Sequence, residues 1–215
     1  RGKPVVALAH FIVPAVSPNL IESKSLKLYL NSFNQTRLGS TDELVATLTR
    51  DLSAAAGAPV GVHVAPLSTR PQRPMGYPKG ILLDGLEIDV DRYTPAPALL
   101  TADSARAPVT ETLYSHLLKS NCLVTGQPDW AMLVVRYTGA PIDREGLLRY
   151  IISFRQHNEF HEQCVERVFV DILRQCQPSA LSVFARYTRR GGLDINPYRR
   201  TPGMPVPAPF AEIRQ

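Results

Sequence analysis

The fold is decided by the stretch Leu147-Leu148-Arg149-Tyr150-Ile151-Ile152-Ser153-Phe154-Arg155-Gln156, because it repeats a stretch that lies 121 positions earlier, Leu26-Lys27-Leu28-Tyr29-Leu30-Asn31-Ser32-Phe33-Asn34-Gln35. The two stretches share leucine, tyrosine, serine, phenylalanine and glutamine at matching positions. The same shift continues without a gap and places further apolar residues on one another: Leu44 on Val165, Leu48 on Phe169, Leu52 on Leu173, Val60 on Leu181 and Val62 on Val183. Similarity at a fixed spacing indicates two copies of one structural module.

Each copy follows the order strand, helix, helix, strand, with further strands outside it. In the first copy we predict strands over residues 5–13, 60–65 and 81–89 and helices over residues 21–34 and 40–55. In the second copy we predict strands over residues 110–119, 130–138, 180–187 and around 193–198, with helices over 143–155 and 161–175. Ser40 and Glu43 form a capping box, and Gly57 follows the end of that helix. This order predicts an α+β protein with helices on one face of an antiparallel sheet.

The repeat also predicts the domain organisation. Residues 1–90 form the first module, residues 91–108 form a linker rich in proline and alanine, and residues 109–215 form the second module. The strand over residues 110–119 has no counterpart in the first copy, because subtracting 121 gives numbers at or below zero. We therefore expect that an N-terminal segment is missing from this sequence.

A cysteine and a carboxylate flank a turn in Ser120-Asn121-Cys122-Leu123-Val124-Thr125-Gly126-Gln127-Pro128-Asp129-Trp130. The residues from Thr125 to Pro128 are typical of a turn, and the mostly apolar run that follows is typical of a strand. Cys122 therefore lies at a strand end or in the adjoining loop, where catalytic groups are common, and the turn places its thiol beside Asp129. The alternative is that Cys122 is a small buried hydrophobe and Asp129 a turn residue.

A strongly periodic helix begins about thirty residues downstream, with His161 and Glu162 in its first turn. The helix dipole is positive there, so a carboxylate is favoured as the anion and a histidine is favoured in its neutral form. The alternative is a helix start with ordinary exposed polar residues. His157, His161 and Cys164 would share one helical face, which is also the apolar face.

Cys122, Asp129, His161 and Glu162, in this order and spacing, resemble the 7-cyano-7-deazaguanine reductases, the NADPH-dependent nitrile reductases of queuosine biosynthesis, a tRNA modification pathway. The stretch Glu22-Ser23-Lys24-Ser25-Leu26-Lys27-Leu28-Tyr29 looks like that family's signature, and its position before the cysteine resembles the two-module type. The resemblance covers nearly the whole chain and includes Arg189-Arg190-Gly191-Gly192-Leu193-Asp194-Ile195-Asn196-Pro197.

The resemblance implies two tunnelling-fold modules in tandem that associate as a homodimer, with a small-molecule substrate and no metal. It implies that Cys122 adds to the nitrile carbon as a thioimide, that Asp129 is the general acid, and that His161 handles protons while two NADPH reduce the group to 7-aminomethyl-7-deazaguanine. The implied substrate-binding residues are Glu162, which would hold the donor edge of the ring, with Phe160, Glu22 and Ser23. The implied cofactor-binding residues are Ser23, Lys24, Ser25, Lys27, Arg190 and Gly191.

Composition excludes several classes of protein. The chain has 215 residues, of which 44% are hydrophobic and 20% charged, as in a globular domain, and no span reaches the length of a membrane helix. Three cysteines, an odd number, fit the reducing cytoplasm, and Cys164 and Cys176 are interpreted as packing residues. The net charge of +5 suggests nucleic acid, but no RNA-binding signature matches, so we predict no direct nucleic-acid partner.

The basic excess has another use, since Lys24 and Lys27 lie three residues apart on one helical face, where they can bind a cofactor phosphate. A solvated lysine face is the alternative.

Three other functions remain open. Cys122, His161 and Asp129 are the residue types of a cysteine hydrolase. His157, His161, Cys164 and Cys122 are candidate zinc ligands, and a non-catalytic binding module is the third possibility.

Overall fold

The structure is a computed structural model that describes residues 3–69 and 75–215. The chain divides into two compact units, Arg1–Gln72 and Arg73–Gln215. Each unit has an apolar core of its own. The predicted α+β class is confirmed, because both units combine helices with antiparallel strands.

The first unit contains β1 (Ala7–Ile12), α1 (Ser23–Asn31), α2 (Thr41–Ala56) and β2 (Gly61–Pro66). β1 and β2 pair antiparallel, from Ala7 opposite Pro66 to Ile12 opposite Gly61. The core is formed mainly by one face of α2 and by partly buried side chains of α1 and both strands: Leu48, Leu52, Ala56 and Val60, with Leu26, Tyr29, Leu30 and Val64 around them.

The second unit contains β3 (Ile81–Leu82), β4 (Val109–Asn121), β5 (Pro128–Gly139), α3 (Arg144–Ile152), α4 (His161–Cys176), β6 (Ala180–Tyr187) and β7 (Tyr198–Arg200). These strands form one sheet in the order β3-β4-β5-β6-β7, in which β3 pairs parallel to β4 and every other pair is antiparallel. α3 and α4 contribute side chains to the core on one face of the sheet. The opposite face carries a smaller apolar cluster around Met132, Val134 and Phe184.

A bulge in β4 reverses which residues face the helices. Ser115 pairs with Leu133 and Leu118 pairs with Ala131, so β4 has one residue more than β5 between these pairs. The odd-numbered Leu113 and Ser115 are buried before the bulge, and the even-numbered Leu118 and Ser120 are buried after it. Because side chains alternate along a strand, one extra residue exchanges the two faces.

The carboxylate of Asp84 holds this bulge. It accepts hydrogen bonds from the Ser115 hydroxyl at 2.6 Å and from the His116 N–H at 3.1 and 3.2 Å. The Ser115 hydroxyl in turn accepts the Leu117 N–H at 3.1 Å. The backbone groups that leave the ladder at a bulge therefore have side-chain partners.

The predicted boundaries of the outer elements need correction. The strand predicted over residues 81–89 is only β3, and it pairs with β4 in the second unit, where Leu83 N–H also donates to the Tyr114 carbonyl at 2.9 Å. The first unit therefore ends before residue 90. The predicted spacer over residues 91–108 packs on the second unit: Ala96 and Leu100 are buried, and Asp143 N–H donates to the Thr101 carbonyl at 2.9 Å. The last strand is β7 rather than residues 193–198.

Three helices also differ from prediction at their ends. α1 covers Ser23–Asn31 rather than residues 21–34. α3 stops at Ile152, and the chain continues as a 3₁₀ turn over Ser153–Gln156. At the start of α2 the Ser40 hydroxyl accepts the Glu43 N–H at 3.1 Å, but the Glu43 carboxylate accepts from the N–H of Gly39 rather than from that of Ser40. The capping box is therefore only half formed. Gly57 ends α2 with φ of 69°, which glycine adopts without strain.

The repeat is reproduced at the level of side-chain contacts. The rings of Tyr29 and Phe33 meet edge to face at 5.2 Å, and those of Tyr150 and Phe154 do the same at 5.2 Å. Each tyrosine hydroxyl donates to an aspartate of the following helix, Tyr29 to Asp51 at 2.7 Å and Tyr150 to Asp171 at 2.6 Å. The equivalent helices α1 and α3 begin 121 residues apart, as the repeat predicts.

The gapless alignment is wrong in the second helix of each copy. α2 and α4 both contain 16 residues and begin 120 residues apart, at Thr41 and His161. The buried positions of α2 therefore match those of α4 at this smaller spacing, Leu48 with Val168, Leu52 with Ile172 and Ala56 with Cys176. The loop before the helix is one residue shorter in the second copy, a change that surface loops tolerate.

The repeated tyrosine–aspartate bond supplies a matched pair of variants. We expect Tyr150→Phe to lower the free energy of unfolding of the second unit by about 1–3 kcal/mol, because the Tyr150 ring is fully buried and the Asp171 carboxylate loses its buried donor. We expect Tyr29→Phe to cost about 0.5–1 kcal/mol, because Asp51 keeps its contact with Arg50 at 2.8 Å. Hydrogen exchange measured peptide by peptide assigns each loss to its unit. An equal or larger loss for Tyr29→Phe would contradict this assignment.

Candidate active site

Cys122 begins the turn that joins β4 to β5. Its N–H donates to the Gln127 carbonyl at 2.8 Å, and the Gly126 N–H donates back to the Cys122 carbonyl at 2.9 Å. Gly126 has a φ of 67°, a value that allows this tight closure without strain. Cys122 is half-buried, whereas Cys164 and Cys176 are buried among apolar side chains. The loop position predicted for Cys122 agrees with the structure.

The end of β4 is tied to the segment that enters α4. Asn121 forms an isolated parallel bridge with Asn158, in which its N–H donates to the His157 carbonyl at 2.8 Å and its carbonyl accepts the Glu159 N–H at 3.1 Å. Lys119 reinforces this contact by donating to the Asn121 side-chain oxygen at 2.5 Å and to the Arg155 carbonyl at 2.8 Å. The residue before Cys122 is therefore fixed next to the start of α4.

The buried carboxylate of Asp129 lies between the imidazole of His161 and the guanidinium of Arg190. Asp129 lies on β5 opposite Ser120 and is 2% exposed. His161 Nε2 lies 3.3 Å from Asp129 Oδ1, and an Arg190 guanidinium N–H donates to the same oxygen. Burial raises the pKa of Asp129, but His161 and Arg190 outweigh burial, so the pKa lies below its ordinary value. Asp129 is therefore an ionised carboxylate at neutral pH.

The thiol of Cys122 is activated by its own turn. Burial raises the pKa of Cys122, and the Asp129 charge does the same. Hydrogen bonds from the Thr125 hydroxyl and from the N–H groups of Thr125 and Val124 lower this pKa and outweigh both effects. The net pKa lies below the ordinary thiol value, which favours the nucleophilic thiolate. Burial instead raises the pKa of Cys164 to about 12 and that of Cys176 to about 11. Of the three thiols, Cys122 is the one with a lowered pKa.

Arg190 lies three residues after the end of β6 and begins a two-residue turn. Its N–H donates to the Leu193 carbonyl at 2.9 Å and its carbonyl accepts the Leu193 N–H at 3.2 Å, while Gly191 and Gly192 take φ values of 55° and 82°. The guanidinium contacts Asp129 and also donates to Gln127 Oε1 at 2.6 Å. We expected Arg190 at a cofactor phosphate, but the structure places it on the candidate acid.

α4 begins at His161, as its periodicity predicts, with Phe160 as the N-cap residue. The His161 ring lies 4.1 Å from the ring of the buried Tyr187, so the imidazole is held between this ring and Asp129. Glu162 follows in the first turn and is half-buried, as is Phe160. The structure therefore places His161 in contact with the Asp129 carboxylate, and it places that carboxylate near enough to Cys122 for its charge to raise the pKa of the thiol.

The candidate residues of the first unit lie at the start of α1. The Glu22 carboxylate caps this helix by accepting the Lys24 N–H at 2.8 Å and the Ser25 N–H at 2.7 Å. Burial raises the pKa of Glu22, but these hydrogen bonds give it a net pKa below the ordinary value. Lys24 is exposed and Lys27 half-buried, and neither ammonium group forms an ion pair with another described residue. Ser23 begins the helix, and the Ser25 hydroxyl donates to Glu22 at 3.0 Å.

The proposed zinc ligands do not share a helical face, because His157 precedes α4 in extended backbone and contacts Glu159 at 2.9 Å. Within residues 3–69 and 75–215, no group of three or more histidine, cysteine, aspartate or glutamate side chains is arranged to hold a metal ion. A cysteine hydrolase needs a histidine in contact with the thiol, whereas the described ion-pair contact of His161 is with Asp129.

Several residues of this site were missed from the sequence. Gln127 and Thr125 hold the Cys122 turn through contacts within the turn, and Asn121 holds it through contacts with residues 157–159, which are distant in the sequence. A second missed group is the half-buried carboxylate of Glu159, which Arg167 of α4 binds with two hydrogen bonds at 2.7 and 3.0 Å. None of the described helices combines the length and the apolarity that a membrane crossing requires.

Comparison with known proteins identifies the family to which this chain belongs. The family model described as the N-terminal part of the nitrile reductase, 7-cyano-7-deazaguanine-reductase, matches residues 1–64, and the model described as QueF-like protein matches residues 128–204. The chain is 64% identical over its full length to the NADPH-dependent 7-cyano-7-deazaguanine reductase of Aromatoleum aromaticum and 66% identical to that of Dechloromonas aromatica, in each case covering 76% of the relative. It is 60% identical to the reductase of the same name from Cupriavidus pinatubonensis, covering 78% of that protein. The chain therefore belongs to the family of NADPH-dependent 7-cyano-7-deazaguanine reductases.

Proposed function

We propose that this chain reduces the nitrile of 7-cyano-7-deazaguanine to the primary amine of 7-aminomethyl-7-deazaguanine, with NADPH as the reductant, in queuosine biosynthesis. The observation that carries the proposal is a half-buried thiol with a lowered pKa beside a buried carboxylate that His161 and Arg190 hold in place. This arrangement suits the addition of a thiolate to a weakly electrophilic carbon, followed by controlled proton transfer.

The first step is the addition of Cys122 across the nitrile triple bond. The thiolate sulphur forms a bond to the nitrile carbon, one carbon–nitrogen π bond breaks, and the nitrogen takes one proton. No group leaves, so the product is a thioimide that contains every atom of both reactants. The lowered pKa of Cys122 increases the share of thiolate that is available for this addition.

Asp129 is a proton relay in this step rather than an acid from the start, because its pKa is lowered and it begins ionised. It accepts the proton that leaves Cys122 and passes it to the nitrile nitrogen. The described contacts of His161 and Arg190 both fall on Oδ1, which leaves Oδ2 to exchange this proton. The ion pairs stabilise the carboxylate between transfers, so the proton is delivered rather than retained.

Reduction of a nitrile to a primary amine takes four electrons, and NADPH supplies them when bound as two hydrides in succession. The first reduction places a hydrogen on the carbon that carries the Cys122 sulphur and a proton on nitrogen. Expulsion of the Cys122 thiolate then leaves an imine, which the second reduction converts to the amine. His161 supplies protons in these steps, because its Nε2 lies 3.3 Å from the relay carboxylate.

Glu162 holds the substrate ring. A carboxylate that accepts two hydrogen bonds matches the adjacent N–H donors of a guanine-like edge. Its place in the first turn of α4, one residue after His161, puts ring recognition beside the proton chemistry. Phe160 offers an apolar side chain at the same helix start. Glu22 and Ser23 stay candidates for the substrate, and in Glu22 the cap bonds leave further lone pairs to accept from a ligand.

The donors at the start of α1 fit the phosphates of NADPH. Lys24 and Lys27 lie three residues apart on one helix, and neither ammonium group forms an ion pair with another described residue, although the Lys24 charge interacts with the Glu22 carboxylate at longer range. The Ser23 hydroxyl is a further hydrogen-bond donor at the same helix end, whereas the Ser25 hydroxyl and the N–H groups of Lys24 and Ser25 must leave the Glu22 carboxylate before they can donate to a phosphate. In the second unit Arg190 keeps unused N–H donors, and Gly191 leaves its backbone open to close approach.

The assembly and the compartment are also part of this proposal. We infer from the family resemblance that two copies of the chain associate as a homodimer. Cys122, Cys164 and Cys176 are free thiols, which supports a reducing compartment, and we place the enzyme in the cytoplasm.

The covalent step predicts a mass change. We expect that mixing the protein with 7-cyano-7-deazaguanine in the absence of NADPH adds the full mass of the substrate, because the addition has no leaving group. Intact-mass spectrometry followed by peptide mapping places the adduct on Cys122, and Cys122→Ala abolishes it. An adduct that persists in this variant, or that maps to Cys164 or Cys176, would show that the nucleophile is wrongly assigned.

The two carboxylates have separable roles. We expect Asp129→Asn to slow thioimide formation at least tenfold and to abolish turnover, because an amide cannot relay a proton. We expect Glu162→Gln to weaken nitrile binding by about 1–3 kcal/mol, because one acceptor becomes a donor that faces ring donors. Calorimetry in a Cys122→Ala background measures binding without a covalent step. If Glu162→Gln binds normally there and Asp129→Asn does not, the two roles are exchanged.

The lysines of α1 are predicted to act on the cofactor alone. We expect Lys24→Ala and Lys27→Ala each to raise the KM for NADPH several-fold, with little change in the KM for the nitrile and with a dependence on ionic strength. Lys79→Ala is the matched control, since it removes one lysine charge from the second unit and is expected to change neither KM. Equal effects of Lys24→Ala on both substrates would indicate a folding defect instead.

A further inference from the structure

We infer that Arg190 is a positioning residue for the covalent step: its guanidinium fixes the Asp129 carboxylate and ties it to the Cys122 turn before any cofactor is bound. This inference rests on the proposed function and gives Arg190 a task in addition to the phosphate contact expected from the sequence. It is carried by the two contacts of the Arg190 side chain, one to Asp129 and one to Gln127 at 2.6 Å.

These two contacts join both partners of the first chemical step. Gln127 closes the β4–β5 turn, because its carbonyl accepts the Cys122 N–H at 2.8 Å, and Asp129 follows it by two residues. A planar guanidinium with donors in a fixed fork can hold both acceptors at once, which the single ammonium group of a lysine does less well. Arg190 therefore sets the position of the carboxylate relative to the sulphur.

The backbone that carries Arg190 is rigid and belongs to the same sheet as Asp129. The Thr188 N–H donates to the Trp130 carbonyl at 2.9 Å, which extends the pairing of β5 with β6 towards Arg190. Two hydrogen bonds between Arg190 and Leu193 then close the glycine turn. A side chain mounted in this way is a fixed support, unlike a long side chain on a loop that waits for a ligand.

Electrostatics point to the same role. A buried carboxylate is costly unless it is paired, and Arg190 provides the permanent positive charge on Asp129, beside the His161 imidazole. Burial lowers the pKa of Arg190, but Asp129 and the Cys122 thiolate raise it, so the guanidinium interacts with both groups. Loss of Arg190 leaves Asp129 with His161 alone and removes a cation that stabilises the thiolate.

The test separates this role from phosphate binding, because thioimide formation needs no cofactor. The rate of adduct formation without NADPH is measured by intact mass across pH for the wild-type chain and for Arg190→Ala and Arg190→Lys. We expect Arg190→Ala to slow the addition at least tenfold at neutral pH and to move its pH profile to higher pH, and Arg190→Lys to recover part of the rate. The matched control is Arg189→Ala, which removes the neighbouring, half-exposed arginine and is expected to leave the rate unchanged.

A second readout does not depend on the nitrile. Alkylation of Cys122 by iodoacetamide, followed across pH, reports its thiolate directly, and we expect Arg190→Ala to move this profile to higher pH as well. If the wild-type chain forms no adduct while the alkylation profile shifts in this variant, the proposed function fails but Arg190 still acts on Cys122. If Arg190→Ala does not fold, Gln127→Leu removes the second contact at an exposed position and is expected to slow addition several-fold.

The inference is overturned if Arg190→Ala, or Gln127→Leu in its place, forms the adduct at the wild-type rate with the wild-type pH profile. A rise in the KM for NADPH together with that result would restrict Arg190 to the cofactor.

Discussion

The bulge in β4 is the constraint on which the candidate active site depends. The Asp84 carboxylate holds the extra residue, and every position after it changes face, so Ser120 rather than Lys119 is buried on the helix side. Asp129 lies opposite Ser120 in the register that follows the bulge. Without the extra residue this pairing would shift by one, and the carboxylate would face a different set of side chains.

The bulge sets the strand register of Asp129, and contacts with His161 and Arg190 then make burial of the Asp129 carboxylate possible. Asp129 brings a full negative charge into the protein, which the fold tolerates because α4 supplies His161 and the turn after β6 supplies Arg190. The Asn121–Asn158 bridge aligns the start of α4 with the end of β4 and so sets the distance between these parts. The arrangement connects the Asp129 carboxylate with the His161 imidazole and, through Arg190 and Gln127, with the turn that carries Cys122.

The two copies of the repeat show which contacts belong to the module and which belong to the chemistry. The tyrosine–aspartate bond and the edge-to-face pair of rings occur in both units, so they are structural. The helix starts differ: α2 begins after a serine cap, whereas α4 begins after Phe160 with His161 and Glu162 in its first turn. The second copy therefore uses the most electropositive position of its helix for reactive groups instead of for a simple cap.

The sequence by itself determined the repeat, the α+β class, both helix pairs and the loop position of Cys122, because apolar periodicity and turn residues act over a few neighbouring positions. It also singled out His161 and Glu162 at a helix start. Only the tertiary structure decided the length of β3, the packing of residues 91–108, the one-residue slip in the second helices and the contacts of Glu22 and Arg190. These features depend on strand register and on side chains that are distant in the chain, such as Arg190 and Asp129, and a local pattern does not specify which acceptor a long cationic side chain will reach.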